Sequence, residues 1–238
     1  SIDGTDEVLR PYRDGAKEPS ARDIEHILAL YDAEITELDK KIASLLRLAD
    51  EDTIVVVTSD HGESFSHGYY FNHRDGLWDE ITHVPLLISH DSSIQIEEQV
   101  ALIDLTPTVV DLAGLPKDQR MQGLSQVEAL SGKKMGRDIV YSTTDPWMPT
   151  SQFAVRSEEW KWIAQKEADL VYHLSEDPLE SIEGQTIPSQ FKKERERYKE
   201  LIQSLTAFQV QTPQERIISE KECKRLMRLG YTTCDRPK

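Results

Sequence analysis

The most constraining feature of the sequence is an apolar run that gives way abruptly to a polar turn. Residues 54–57 are four consecutive β-branched apolar residues, without the alternation of a strand that is wet on one face. Such a run predicts a strand covered on both faces, as in a central parallel sheet. Asp60, His61 and Gly62 follow shortly after its carboxyl end. Open α/β sheets bind ligands beyond the carboxyl ends of their strands, so this turn is the first candidate site.

The turn has the chemistry of half a metal site. Asp60 and His61 place a carboxylate oxygen beside an imidazole nitrogen, and both atoms can bind one divalent cation. Gly62 permits a tight turn or a close approach of the backbone to a ligand, and Glu63 is a candidate to orient His61. A structural interpretation of the bare triplet is also open, with Asp60 as a cap and His61 as a hydrogen-bonded core residue. The preceding strand and the downstream residues favour the metal site.

The hydrophobic pattern on either side predicts an α/β protein. From Ala21 to Ala49 apolar residues recur at steps of three and four, which is typical of a long amphipathic helix, and Ser20 is its predicted cap. Residues 84–89 predict a second strand. Residues 106–113 predict a further helix that begins with a Thr-Pro pair.

The pattern changes after about residue 133. Four short strand-like runs separated by turn residues predict an antiparallel sheet, at residues 138–143, 152–156, 160–164 and 170–174. Two helices are expected after the sheet, over residues 189–208 and 212–230. We therefore predict a mixed, mostly parallel α/β core in residues 1–133 and a smaller antiparallel α+β subdomain in residues 134–238.

Composition and charge argue against two classes of partner. The formal net charge is -15, whereas nucleic acids and anionic membranes require clustered Lys and Arg, so we expect neither partner. No apolar run approaches the length needed to span a membrane. The chain begins at Ser1 without an initiator Met, and its first residues are polar with no strand pattern. We therefore expect a piece of a longer protein.

A series of short motifs runs through the chain in a characteristic order. They are Thr58-Ser59-Asp60-His61-Gly62-Glu63, His67-Gly68, Phe71-Asn72-His73, Leu77-Trp78-Asp79-Glu80, His83-Val84-Pro85-Leu86, Asp104-Leu105-Thr106-Pro107-Thr108 and Leu226-Met227-Arg228-Leu229-Gly230. In this order and spacing the motifs resemble the C-terminal half of the sulfatases, a family of the alkaline phosphatase superfamily. The resemblance implies an alkaline phosphatase-like α/β fold, of which this chain holds a part.

The resemblance implies roles for three residues. Asp60 and His61 would bind the active-site divalent cation, which is usually calcium in this family. His73 would bind the ester anion at a position where many relatives carry Lys. Because calcium prefers oxygen ligands and imidazole suits manganese or zinc better, His61 leaves those two metals open. The Asp-His pair also leaves open a phosphonate monoester or phosphodiester hydrolase of the same superfamily.

One part of the sulfatase apparatus is missing from the sequence. Sulfatases hydrolyse esters with a formylglycine made within a Cys/Ser-x-Pro-x-Arg motif, and none of the 238 residues forms that motif. The resemblance therefore implies a sulfuric ester hydrolase whose N-terminal half, on the same polypeptide, supplies the nucleophile for a small sulfate ester or a sulfated carbohydrate. We assign no catalytic residue to this chain and expect no turnover from it alone. A non-catalytic remnant or binding module is the alternative of a different class.

Overall fold

The computed structural model describes residues 5–13, 15–73, 76–89, 93–144, 152–165, 169–182, 184, 186, 188–189, 191–197, 200 and 223. The chain divides into two compact units, Ser1–Glu194 and Arg195–Lys238. Nearly all described residues lie in the first unit, and the predicted domain boundary near residue 133 stays a prediction. No helix in the described part of the chain is both long and apolar enough to cross a membrane.

The long helix and its cap are confirmed. Helix α2 spans Ala21–Leu46, and Ser20 is its N-cap. The Ser20 hydroxyl accepts a hydrogen bond from the Asp23 backbone N–H at 3.2 Å, and the Asp23 carboxylate accepts one from the Ser20 N–H at 3.1 Å. This capping box satisfies two backbone donors that a helix start would otherwise leave unpaired.

A short helix precedes α2 in a stretch for which the sequence pattern predicts no element. Helix α1 spans Asp6–Arg13 and buries Leu9 and Tyr12 in a small cluster with Ile27 and Phe71. The Tyr12 and Phe71 rings meet edge to face, with centroids 5.8 Å apart. Because Phe71 belongs to the loop after the Asp-His turn, this cluster fastens the start of the chain to that loop.

The apolar run forms a strand, but its pairing and burial differ from the prediction. Strand β1, Val56–Thr58, pairs antiparallel with β2, Leu86–Ile88, and helix α3, Asp79–Thr82, lies between them in the chain. Ile54, at the start of the run, is 36% exposed. Val56 and Val57 are partly buried and Thr58 is exposed, so the strand is not fully covered on both faces. Among the described residues no third strand joins this sheet.

A 3-10 turn at Leu102–Asp104 leads into helix α4, Leu105–Leu112, which begins one residue before the predicted Thr-Pro start. Helix α5 follows at Val127–Leu130. The buried Asp104 carboxylate pairs with the Arg137 guanidinium, whose Nε lies 2.7 Å away. This ion pair ties the start of α4 to the connection that enters the C-terminal sheet.

The predicted antiparallel sheet is confirmed. Its strands are β3 at Val140–Thr143, β4 at Phe153–Arg156, β5 at Trp160–Ala164 and β6 at Leu170–His173, and they pair antiparallel in that order. One face packs Ala154, Ile163 and Tyr172 against Leu77, Trp78 and Ile81. The sheet therefore lies directly against α3 and the residues before it.

The two predicted C-terminal helices fall largely outside the described residues. Residues 191–197 and 200 are helical, as predicted for the first of these helices, and Phe191 is fully buried. In the second, residue 223 alone is described; it is helical, and its Cys side chain is disulfide-bonded. The remaining predicted positions lie outside the described residues.

Candidate functional site

The turn after β1 brings Asp60 and His61 together. The His61 Nε2 atom lies 3.7 Å from Asp60 Oδ2. The His61 Nδ1 atom lies 2.8 Å from the Gly62 carbonyl oxygen. A carbonyl oxygen only accepts hydrogen bonds, so Nδ1 carries the hydrogen and Nε2 of the neutral ring is left with its lone pair. Two lone-pair atoms then face each other, and a cation bound between them would satisfy both.

The spacing and exposure of the pair fit a divalent cation in part. Two ligand atoms at about 2.1–2.5 Å from a cation and at right angles lie roughly 3.0–3.5 Å apart, close to the observed separation. The Asp60 and His61 side chains are 76% and 37% exposed, so the pair is open to solvent. The described residues contain no group of three or more His, Cys, Asp or Glu that could hold a metal ion. The pair could therefore offer two ligand atoms to a cation, and the described residues do not complete a coordination sphere.

The third predicted residue lies beside the pair. The His73 ring stacks on the His61 ring with centroids 4.1 Å apart and planes inclined by 14°. The His73 Nδ1 atom lies 3.1 Å from Glu63 Oε2, so Glu63 orients His73, while the Gly62 carbonyl orients His61. Because Nδ1 is bound to Glu63, Nε2 is the ring nitrogen of His73 that could contact a ligand.

Helix α3 forms the base on which the turn rests. The Gly62 backbone N–H donates to the Ile81 carbonyl oxygen at 2.7 Å. A Cβ atom on Gly62 would lie 2.1 Å from the Glu80 carbonyl oxygen, closer than any side chain tolerates. Only glycine lets the turn approach α3 this closely. The position of the Asp60-His61 pair is therefore set by the position of α3.

The Glu80 side chain fastens the next residues of the loop. Its carboxylate accepts hydrogen bonds from the Ser64 hydroxyl at 2.5 Å, the Ser66 hydroxyl at 2.9 Å and the Phe65 backbone N–H at 3.1 Å. Burial favours a raised pKa for Glu80, but the hydrogen bonds from His67, Ser64 and the others outweigh it, and the pKa lies below its usual range. Glu80 therefore acts as an ionised anchor of the loop.

The contacts of His67 are with residues that support the loop and not with Asp60 or His61. Its ring stacks on Trp78 with centroids 4.5 Å apart, its Nε2 donates to the Glu180 carbonyl oxygen at 2.8 Å, and its Nδ1 lies 3.3 Å from Glu80 Oε1. Burial alone would lower the pKa of His67, but the carboxylate of Glu80 and the carbonyl of Glu180 raise it. His67 also has a φ of 57°, which is left-handed.

A buried charged cluster lies under α3, and the sequence pattern does not predict it. The Lys161 side chain is fully buried, with Nζ 2.7 Å from Asp79 Oδ1 and 2.9 Å from Glu180 Oε1. Arg156 adds a contact from Nη2 to Asp79 Oδ2 at 3.0 Å. Burial alone would raise the pKa of Asp79, but Lys161 and Arg156 lower it below its usual range. For Glu180 burial is the larger effect, and the pKa is raised. The one sequence signal was Asp79-Glu80 within a family motif.

Two family descriptions match the chain. Residues 4–115 match the family described as Sulfatase. Residues 66–211 match the family described as N-sulphoglucosamine sulphohydrolase, C-terminal, which is more than half of the chain.

Curated relatives include arylsulfatase K of Bos taurus and of Homo sapiens. They are 28% and 27% identical to this chain over 181 residues, which is 67% of this chain and 33% of each relative. The chain thus spans about a third of the length of these relatives.

Solved structures share the fold at lower identity. A 2-O GAG sulfatase superposes with a TM-score of 0.66 at 22% identity and covers 82% of this chain and 46% of its own. A protein solved with its substrate D-glucosamine-2-N,6-O-disulfate gives 0.59 at 21% identity, covering 88% and 47%. The phosphonate monoester hydrolase of Silicibacter pomeroyi gives 0.60 at 20% identity, covering 87% and 46%. The predicted alkaline phosphatase-like α/β fold is confirmed for this part, and together with the family matches these findings show that the chain belongs to the sulfatase family.

Proposed function

We propose that this chain is the part of a sulfuric ester hydrolase that contributes Asp60 and His61 to a divalent cation and His73 to the ester anion. The observation that carries the proposal is the convergence of Asp60 Oδ2 and His61 Nε2 at 3.7 Å, with His73 stacked on His61, in a chain of the sulfatase family. A bound divalent cation would supply charge neutralisation at the ester oxygens. The family favours calcium, and the nitrogen ligand keeps manganese and zinc as alternatives.

Two neighbouring residues orient the two histidine rings that would face the anion. Gly62 keeps the hydrogen of His61 on Nδ1, which reserves Nε2 for the cation. Glu63 holds the His73 ring beside His61, so that a cation and a hydrogen-bond donor would face the same anion from neighbouring positions. No residue of this chain is proposed as the nucleophile or as a proton donor to the leaving group.

We propose a sulfated sugar as the substrate class. A structural relative was solved with D-glucosamine-2-N,6-O-disulfate as its substrate, and another is a 2-O GAG sulfatase. The alternative substrate is a phosphonate monoester or a phosphodiester, because a phosphonate monoester hydrolase shares the fold. Both substrate classes are tetrahedral oxyanions, so the same cation and donor would serve either one.

We propose that the missing N-terminal half of the same polypeptide packs on α2 and β1 and supplies the nucleophile. Support comes from an apolar stripe on α2 that lies exposed in the described structure. Its members recur at helical spacing and are 37–65% exposed: Leu28, Tyr31, Ile35, Leu38 and Leu45. A two-stranded sheet is too narrow to cover a helix of 26 residues, so further strands beside β1 would suit this stripe.

Cation binding by the purified chain tests the site. We expect the chain to bind Mn²⁺, followed by its electron spin resonance signal, and to bind Ca²⁺ in competition. Asp60→Ala should lose at least tenfold in affinity, since one of two ligands is removed. Asp118→Ala is the matched control, because Asp118 is a surface carboxylate paired with Arg120. Equal affinity in all three proteins would contradict the site, and a chain that binds no cation would favour the non-catalytic remnant.

Turnover provides a second test. We expect no hydrolysis of an aryl sulfate by the chain alone, because no residue of it is a candidate for the formylglycine. Measurable hydrolysis that disappears in Asp60→Ala would contradict the proposed need for the N-terminal half. Hydrolysis that survives in Asp60→Ala would point to a contaminating enzyme, and purification from a host without sulfatases then decides the question.

A further inference from the structure

The cluster around Lys161 places charged side chains in the interior of the protein, where their burial is unfavourable. Lys161 is fully buried and Glu180 is 2% exposed, and each lies in an ion pair away from water. Removing such charges from water costs free energy that the mutual attraction often fails to recover, so apolar residues would stabilise the same space at least as well. A buried ion pair is better explained when it fixes one particular geometry, and the contacts of this cluster indicate which geometry that is.

The cluster holds the first turn of α3. Lys161 contacts the Asp79 side chain, while Glu180 contacts its backbone: Glu180 Oε2 accepts the Asp79 N–H at 2.5 Å. Arg156 grips the same Asp79 carboxylate through two nitrogen atoms, Nε and Nη2, at 3.0–3.2 Å. Asp79 is thus held at both its side chain and its backbone, and a charged residue that starts a helix is held in one orientation.

From α3 the constraint continues to the metal pair through two hydrogen bonds. The Ile81 carbonyl at the far end of α3 accepts the Gly62 N–H at 2.7 Å. The carbonyl of the same Gly62 accepts the hydrogen of His61 Nδ1 at 2.8 Å, which fixes the ring and its tautomer. A displacement of α3 would therefore move the peptide that orients His61.

We propose that Lys161 is a positioning residue for the metal pair, which holds α3 through Asp79 and Glu180 and thereby sets the orientation of the His61 imidazole. The metal-binding consequence rests on the proposed function, whereas the positioning itself does not. Lys161 lies on β5 of the C-terminal sheet, so this sheet determines the geometry of a turn about 100 residues earlier in the chain.

Backbone conformation supports a fixed arrangement at this point. Glu180 has a φ of 53° and His67 has a φ of 57°, both in the left-handed region that non-glycine residues seldom occupy. The two residues are joined by the hydrogen bond from His67 Nε2 to the Glu180 carbonyl. Strained residues of this kind persist only where the surroundings determine them fully, and here both adjoin the base of the metal turn.

The test compares Lys161→Met with a matched core variant in the metal-free chain. Met keeps the length and volume of Lys without its charge. Val171→Ala is the control, because Val171 is also buried in this sheet but lies on the face opposite Lys161, which does not pack against α3. Lys133→Met controls for the loss of a lysine, since Lys133 is an exposed residue. The readouts are the amide hydrogen exchange of Gly62 and the ¹⁵N chemical shifts of the His61 ring.

We expect Lys161→Met to speed Gly62 exchange about tenfold and to shift the His61 Nδ1 and Nε2 signals toward averaged tautomers, because Gly62 no longer holds Nδ1–H. Val171→Ala should leave both signals in place at conditions where each variant is fully folded. Unchanged Gly62 and His61 signals in Lys161→Met, or equal changes in Val171→Ala, would overturn the proposal.

A milder variant keeps the test decisive if Lys161→Met does not fold. Glu180→Gln removes one charge and keeps an acceptor for the Asp79 N–H, and it should shift the same signals in the same direction by a smaller amount. Folded Glu180→Gln with unaltered Gly62 and His61 signals would also overturn the proposal. Mn²⁺ titration of each folded variant separates the two claims: a parent chain that binds no Mn²⁺ defeats the proposed function, while the exchange and ¹⁵N results still decide the positioning role.

Discussion

The close approach of Gly62 to the backbone of α3 leads to a specific prediction for Gly62→Ala. The added Cβ would lie 2.1 Å from the Glu80 carbonyl oxygen, 3.1 Å from the Glu80 carbonyl carbon and 3.2 Å from Ile81 Cα. All three are backbone atoms of α3, so no side-chain rotation can relieve the overlap. An ordinary contact requires about 3.5 Å, and the turn or α3 must therefore shift by about 1.4 Å.

The cost of that shift can be estimated from three terms. Overpacking of a close contact costs about 1–3 kcal/mol. Lengthening of the Gly62 N–H to Ile81 carbonyl bond, now 2.7 Å, costs about 1 kcal/mol more. Replacing glycine by alanine lowers the conformational entropy of the unfolded chain, which stabilises the folded state by about 0.4–1 kcal/mol. We expect a loss of roughly 1–3.5 kcal/mol in the free energy of unfolding, which urea denaturation followed by tryptophan fluorescence measures.

Stability alone does not identify the turn, so a second glycine serves as the control. Gly68 lies in the same loop with a φ of +75°, and a Cβ there would meet no atom within 4 Å. Gly68→Ala should cost about 1–2 kcal/mol through backbone conformation alone. We expect Gly62→Ala to weaken Mn²⁺ binding at least tenfold and Gly68→Ala to leave it unchanged. Equal Mn²⁺ affinity in the two variants would refute the inference that α3 positions the metal pair.

Two ionisable residues give pH-dependent predictions. The pKa of His67 is raised in the folded protein, so its stabilising effect should be complete below its unfolded pKa of about 6.5 and disappear as pH rises through the folded value. The free energy of unfolding of the parent should therefore exceed that of His67→Gln by less at pH 8.5 than at pH 6. A constant difference would contradict the pairing with Glu80. Asp104→Asn should cost about 2–3 kcal/mol at pH 7, because Arg137 loses a buried carboxylate partner. Burial alone would raise the pKa of Asp104, but the hydrogen bonds from Arg137 and from two backbone N–H groups lower it. The loss of stability should therefore fade as pH falls below about 4 and the carboxylate becomes protonated. The same loss at pH 3 and pH 7 would show that charge is not involved.

Sequence predictions succeeded where the signal is local. The cap and length of α2 follow from Ser20, Asp23 and the spacing of apolar residues within the helix itself. The four strands of the C-terminal sheet follow from alternating runs between turn residues. The Asp-His turn follows from an abrupt change of composition, and the structure places His73, 12 residues after His61, in contact with His61.

Predictions were less complete where contacts between distant segments decide. Helix α1 carries only Leu9 and Tyr12 as buried apolar residues, which is too weak a pattern to stand out before Phe71 is known to cover them. The run at residues 54–57 has the composition of a fully covered strand, yet burial depends on the elements that pack around it, and the described residues supply a single neighbouring strand, β2.

The sequence by itself determined helix α2, the strands of the C-terminal sheet and the Asp60-His61 turn, because caps, periodicity and turn residues act over a few positions. The tertiary structure alone decided that Lys161 is fully buried and that Glu180 supports α3. On β5 a lysine between two tryptophans has the pattern of a solvated residue, and it is buried only because Asp79, 82 positions away, lies within 2.7 Å of its Nζ. Pairing of charges across such separations depends on how the sheet packs, and no local pattern encodes that packing.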